Sequence, residues 1–234
     1  GLPAERIRVT GSLKYDILPD EPDREAANRL REKFGIRRVD KVLVAGSTHS
    51  GEEGILCDVY AELRETFPAL RLVLAPRHIE RAPEVERAIR SRGLKLVRKS
   101  RLDTGRESAD GDEVILVDTI GDLMDCYAMA DCVFVGRSLM EPGGGQNMME
   151  PAALGKPVLV GPHTGNFRPE MADLLDCDAV RVVDGPGELA AQCSTLLGDR
   201  VAAEKLGRRA REAVRKSRGA TESTLRHLEQ MLAE

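Results

Sequence analysis

The chain has 234 residues, 35 basic against 39 acidic, with 41% apolar residues. That is enough to fill the core of one large domain or two small ones and too apolar for a disordered chain. Four Phe, three Tyr and no Trp call for an aliphatic core and argue against a platform that stacks nucleic-acid bases, and a net charge of −4 offers no overall basic field to a polyanion.

In chain order, residues 1–20 read as an edge segment holding the short piece Ile7–Asp16, with Lys14 and Asp16 as surface or hinge residues. The start, Gly1-Leu2-Pro3, has no Met and suggests a piece of a longer protein. A charged helix follows from about Asp23 to Phe34. The apolar run Val42–Ala45 then leads into Gly46-Ser47-Thr48-His49. Ile55, Leu56, Val59, Tyr60 and Leu63 share one helical face, and Ser50 with Glu53 reads as the capping box that starts this helix. The run Leu72–Ala75 leads into Pro76-Arg77-His78, and Leu94–Val97 is the next apolar run. Residues 99–113, polar and rich in Gly and Asp, read as an exposed loop. Val114–Val117 runs into Asp118-Thr119-Ile120-Gly121, and Thr119 with Asp122 reads as a second box opening the helix Leu123–Met129. Cys132–Val135 leads into Gly136-Arg137-Ser138 and then Gly143-Gly144-Gly145-Gln146-Asn147, which opens a helix over Asn147–Leu154. Val158–Val160 runs into Gly161-Pro162-His163-Thr164-Gly165-Asn166 and a helix over Phe167–Leu175, with Pro169 tolerated in its first turn. Val180–Val183, a helix over Gly187–Leu197 and a long charged tail over Val201–Leu232, broken near Gly219, complete the pattern.

Short β-branched runs, apolar on both faces and alternating with amphipathic helices, predict an α/β fold: a doubly wound, mostly parallel sheet covered by helices on both sides. The predicted organisation is an edge segment over 1–20, a Rossmann-like domain over 21–200 and a helical tail over 201–234. The cysteines at 57, 126, 132, 177 and 193 are odd in number and form no CxxC, which suits buried thiols of a reducing compartment. No run approaches a spanning helix and no signal peptide is visible. No metal-ligand spacing, nucleophile elbow or Walker A motif occurs.

Ligands of open α/β sheets bind beyond the carboxyl ends of the strands. Nearly every unusual polar residue here follows directly on an apolar run, so five loops should converge on one edge. A phosphate favours a helix N-terminus with free N–H groups and no nearby acid. Glu52 and Glu53 oppose it at the helix after Ser50, and Asp122 at the helix after Thr119. The helix after Gly143-Gly144-Gly145 has no acid before Glu150, which one turn in could accept from ribose hydroxyls. Each signal has a plainer alternative. The glycines could form a flexible turn, Arg77 a surface ion pair, His49 and His163 ordinary loop contacts, Ser47 and Thr48 turn caps, and Asp118 a loop brace. The basic tail residues Lys205, Arg208, Arg209, Arg211, Arg215, Lys216 and Arg218 suit a solvated helix face better than an anionic membrane surface.

The motifs Val9–Asp16, Gly46–Glu53, Pro76-Arg77-His78, Val117–Leu123, Phe134–Leu139, Gly144–Asn147, Glu150-Pro151 and Gly161–Phe167 occur in one order. Together, over about residues 3–200, they resemble the 3-deoxy-D-manno-octulosonic acid (Kdo) transferases of lipopolysaccharide synthesis. The resemblance implies a GT-B glycosyltransferase, two Rossmann-like domains facing across a cleft, of which this chain matches the C-terminal, donor-binding half. It implies an inverting transfer of Kdo from CMP-Kdo to a lipid A precursor at the cytoplasmic face of the inner membrane, with no metal or cofactor. The general base in such enzymes is a Glu of the N-terminal domain, so no catalytic residue is assigned here and the soluble fragment alone is expected to be inactive. Carried over by position, Pro76 and Arg77 would line the cytosine and ribose pocket, and Thr119, Ile120 and Gly121 its other wall. Gly144, Gly145, Gln146 and Asn147 would hold the phosphate and Glu150 the ribose. Ser47, Thr48 and His49 would face the phosphate or the sugar carboxylate. Three departures stand out: Gln146 replaces the usual His, Arg137 replaces the usual second Gly, and the Met140–Gly145 loop is one residue longer. Alternatives are another GT-B sugar-nucleotide enzyme, such as a UDP-sugar epimerase or other glycosyltransferase, and a non-catalytic nucleotide-binding module. The partners the resemblance implies are the nucleotide sugar, the lipid acceptor and an N-terminal domain, but no nucleic acid.

Overall fold

A computed structural model describes Pro3 and residues 7–232; the outermost residues of the predicted 1–20 and 201–234 segments lie outside the described residues. Among these the strands β1 (Lys41–Thr48), β2 (Leu70–Pro76), β3 (Leu96–Arg98), β4 (Val114–Leu116), β5 (Cys132–Val135), β6 (Val158–Val160) and β7 (Arg181–Val182) form one sheet. Its order is β3-β4-β2-β1-β5-β6-β7 and every pairing is parallel. The chain winds outward from β1 through β2, then crosses back to β5. The switch point therefore lies between β1 and β5, where this architecture opens a crevice at the carboxyl ends.

Alternate residues of each strand feed two cores. Val42, Val44, Val73, Ile115, Val133 and Val158 face one side, against the helices α1 (Arg24–Lys33), α5 (Leu123–Met129), α6 (Met149–Ala153) and α7 (Arg168–Asp176). Leu43, Leu72, Leu74, Leu116, Phe134 and Leu159 face the other, against α2 (Glu52–Thr66), α3 (Ala82–Arg90) and α8 (Pro186–Gly198). This is why the strands read as continuous apolar runs rather than as alternating ones.

Several local expectations change. The 99–113 stretch is not all loop, since α4 (Lys99–Asp103) occupies its start. Neither capping box forms. The Ser50 hydroxyl donates to Glu84, Glu53 accepts from Thr48 and Arg81, and α2 starts one residue after Gly51. Thr119 donates to the Asp122 side chain at 2.6 Å rather than capping a backbone N–H. The tail is two helices, α9 (Arg200–Lys216) and α10 (Ala220–Leu232). Ala210, Ala213 and Val214 of α9 belong to the first core and Leu206 to the second, so α9 is part of the packed body. Of its basic residues, Arg209 pairs with Asp178, Arg211 and Arg215 with Glu21, and the following Arg218 with Asp20. Asp16 accepts from the Gly219 amide and from the amide and hydroxyl of Thr221, which ties the early segment to the start of α10.

Two cations sit at the amino ends of the strands. Arg71 of β2 is 1% exposed and donates to the carbonyls of Gly35, Phe34 and Glu113 at 3.2–3.5 Å. Lys156, just before β6, donates to the Ala130 carbonyl at 3.0 Å, and burial pulls its pKa down to about 8. An unfolded lysine titrates near 10.4. Between about pH 8 and 10.4 the unfolded chain therefore binds more protons, and stability rises with pH in that window. The penalty is fully present below about pH 8. Urea denaturation should show wild type gaining about 2–3 kcal/mol relative to Lys156→Met from pH 8 to 10.4, at about 1.4 kcal/mol per unit. A gap that stays constant with pH would refute the desolvated ammonium.

Candidate functional site

The carboxyl edge is built from five loops. β1 ends in an irregularity: Gly46 pairs with Ala75 and Thr48 with Pro76, leaving Ser47 unpaired between them in the left-handed region, φ 54°. A bulge of this kind re-aims a side chain. A Cβ at Gly46 would overlap the ring and hydroxyl of Tyr127, so only glycine lets the fully buried Tyr127 of α5 sit against the strand. Among the described residues the Tyr127 hydroxyl has no hydrogen-bond partner.

Ser47, Pro76, Arg77, Thr119, Ile120 and Gly121 line one recess of about 120 Å³, with Ala75, Ile79, Val117 and Leu123 as its apolar floor. The loops after β1, β2 and β4 thus meet. Arg77 is exposed, and none of the described acids forms an ion pair with it. Asp118 points away and braces its loop by accepting from the amide and hydroxyl of Ser100 at 2.9 and 2.7 Å.

The loop after β5 is locked to the loop after β6. Gly144 N–H donates to the His163 carbonyl and Gly145 N–H to the Arg137 carbonyl, while Asn166 N–H donates to the Gly144 carbonyl. Gly143, Gly144 and Gly145 all have positive φ, and side chains there would run into His163, Asn166 and Thr164. Two of the amides expected to face an anion are therefore engaged within the protein. The helix expected over Asn147–Leu154 is only Met149–Ala153, which leaves the amides of Gln146, Asn147 and Met148 outside it and without partners among the described hydrogen bonds. Asn147 Nδ2 donates to Glu150 Oε1 at 3.0 Å, and Asn147 Oδ1 accepts from the Met149 amide. Burial pushes the Glu150 carboxyl up, opposed by the Asn147 hydrogen bond and by the charge of Arg77. Glu150 thus lies within the field of Arg77, which lines the recess.

One predicted contact needs revision. Thr48 is fully buried and donates to Glu53 at 2.9 Å, so its hydroxyl does not face the cleft. Besides placing a negative charge at the start of α2, Glu52 has a structural role. Its own carboxylate, 1% exposed, accepts from the backbone amides of His49, Arg137, Ser138 and Leu139 at 2.8–3.1 Å. It stitches the turn after β1 to the turn after β5. Sequence spacing holds no trace of this, because three of the donors lie 85–87 residues away. His49 Nδ1 lies 3.2 Å from the Ser47 carbonyl, and burial lowers its pKa.

A second cavity of about 210 Å³ opens beside the glycine loop, lined by His49, Ser50, Glu52, Arg137, Glu141 and Gly143 with Met140 and Pro142. Its signal in the sequence was Arg137, the odd residue in an otherwise small-residue turn. Among the described residues no helix is long and apolar enough to cross a membrane.

No family model matches the chain. The 3-deoxy-D-manno-octulosonic acid transferase of Haemophilus influenzae is 32% identical over 226 residues, covering 96% of this chain and 52% of that protein. The chain spans about half the length of the curated relatives it matches. Among solved structures, the C-terminal CMP-Kdo binding domain of WaaA from Acinetobacter baumannii matches with a TM-score of 0.75 at 29% identity, over 81% of this chain and 96% of that one. The UDP-GlcNAc 2-epimerase of Neisseria meningitidis, bound to UDP-GlcNAc, has a TM-score of 0.60 at 19% identity over 96% of this chain and 56% of that one; this likeness is one of fold alone.

Proposed function

We propose, for a chain homologous to the 3-deoxy-D-manno-octulosonic acid transferases along 96% of its length, that it is the donor half of such an enzyme and binds CMP-Kdo at the carboxyl edge of its sheet. The observation that carries this reading is the convergence of Ser47, Pro76, Arg77, Thr119, Ile120 and Gly121 on one small recess, whose Arg77 acts on the charge of Glu150, itself bonded to Asn147. The cytosine would enter the recess between Pro76 and the Thr119–Gly121 wall. Glu150 keeps acceptor capacity beyond its Asn147 bond and would take ribose hydroxyls. The phosphate would lie on the Gln146–Met148 amides, with Arg77 as the nearby cation.

In the transfer, the bond between the anomeric carbon and the phosphate oxygen breaks and CMP leaves with that electron pair. Donors fixed around the phosphate stabilise the charge as it grows, because they need no rearrangement when it appears. The general base belongs to the missing half in this reading, together with the surface for the lipid A precursor. The whole enzyme would work at the cytoplasmic face of the inner membrane, and the isolated chain would bind without turnover.

Calorimetric titration of the chain tests the reading. CMP should bind more tightly than UDP, and Arg77→Ala should weaken CMP about 10-fold or more, the range of a lost charge-assisted contact, with an unchanged melting temperature. Equal or tighter binding of UDP would favour the epimerase-like alternative, and no CMP binding at millimolar concentration would defeat the reading.

A further inference from the structure

Arg137 is one of three non-glycine residues with positive φ among the described residues, at 56°. The left-handed region is unfavourable for an L-residue, and glycine would occupy it without that cost. Strain of this sort is kept where something else holds it. The backbone reasons are visible: Arg137 N–H donates to Glu52 at 2.8 Å and its carbonyl accepts from Gly145. Both would be served equally by glycine, so they do not account for the long cationic side chain.

That side chain has no ion pair and no hydrogen bond among the described contacts, although most other arginines of the body are paired. It is half-buried and borders the 210 Å³ cavity with His49 and Gly143. Of the two acids there, Glu52 is committed to four amides, and Glu141 on the rim forms no ion pair with Arg137. The cavity therefore presents an uncommitted guanidinium, a group suited to a planar carboxylate.

Its place in the edge narrows the ligand. Gly143 lines this cavity and begins the glycine loop, while Ser47 borders the nucleotide recess and His49, two residues on, borders this one. In a CMP-linked 2-keto sugar acid, the carboxylate and the phosphate oxygen share the anomeric carbon, so a carboxylate seat must adjoin the phosphate seat. We propose that Arg137, standing where the Kdo transferases usually have glycine, adds a cationic seat for the carboxylate of the donor sugar in the cavity beside it. This rests on the nucleotide reading above and extends it from the base and phosphate to the sugar.

The test uses the chain itself, saturated with CMP and titrated with free Kdo while backbone amide resonances of His49, Arg137 and Gly143 are followed. In wild type these should shift and saturate. Arg137→Gly should weaken Kdo at least 10-fold, Arg137→Lys less, and CMP affinity should be equal in all three. The methyl ester of Kdo should behave with wild type as Kdo does with Arg137→Gly. Because glycine suits this backbone, Arg137→Gly should melt at or above the wild-type temperature, so weaker binding is not unfolding. Kdo binding that ignores the substitution, or glucosamine 4-phosphate displacing Kdo from these amides with higher affinity, would overturn the carboxylate seat and leave the nucleotide reading standing. Failure of CMP itself to bind would remove both.

Discussion

Glu52→Ala is expected to lower the stability of the chain by about 3–5 kcal/mol, the cost typical of breaking a buried charged network. Removing the carboxylate leaves four amides without their acceptor, two of them in fully buried hydrogen bonds. Glu52→Gln should fall between, since one oxygen remains and the amide nitrogen adds donors where acceptors are required. Urea denaturation measures both. Because the missing group is a small carboxylate, formate should restore part of the Glu52→Ala loss. A loss under 1 kcal/mol, or no difference between the Ala and Gln variants, would mean that the turns after β1 and β5 are held by other contacts.

The second large effect lies at the opposite end of the sheet. Arg71→Ala should cost about 3–4 kcal/mol, because the change opens a cavity and strands the carbonyls of Gly35, Phe34 and Glu113. The Glu113 carboxylate, 3.9 Å from the guanidinium, would lose its cation and keep only the amides of residues 110–112. Arg71→Met should cost less than Arg71→Ala, since it fills the space. CMP affinity of the folded fraction should be unchanged in both, as Arg71 lies at the amino ends of the strands. A Met variant as unstable as the Ala variant would assign the loss to charge and hydrogen bonding rather than to volume.

How far the structure was legible in the sequence depends on the range of the interactions that decide each feature. β5 and β6 coincide with the apolar runs Cys132–Val135 and Val158–Val160, since burial on both faces fixes such strands and Asp131 and Pro157 precede them. β1 runs three residues past its apolar run, because Gly46 packs against Tyr127 and the chain bulges at Ser47. Only Arg181 and Val182 of Val180–Val183 pair at the sheet margin. The carboxyl edge could be anticipated because loop chemistry follows strand ends in any doubly wound sheet. The capping boxes could not be excluded, because Ser50 and Glu53 have the right spacing yet find Glu84 and Arg81 instead. Tertiary partners outbid local ones there, and no local rule contains them. The same holds for the glycine loop, whose positive φ values suit its residues but whose amides are spent on His163 and Arg137.

The buried carboxylate at the switch point has one more implication. Many sheets of this architecture receive a dinucleotide's pyrophosphate just past the first strand, at the start of the next helix. In this protein that berth is already filled from within, by a fixed negative group belonging to the helix's own first residue. A longer chain of phosphates extending toward the middle would meet like charge there. On the donor-site reading proposed above, that fixed charge weighs against a second phosphate at this point, before any contact with base or sugar is made.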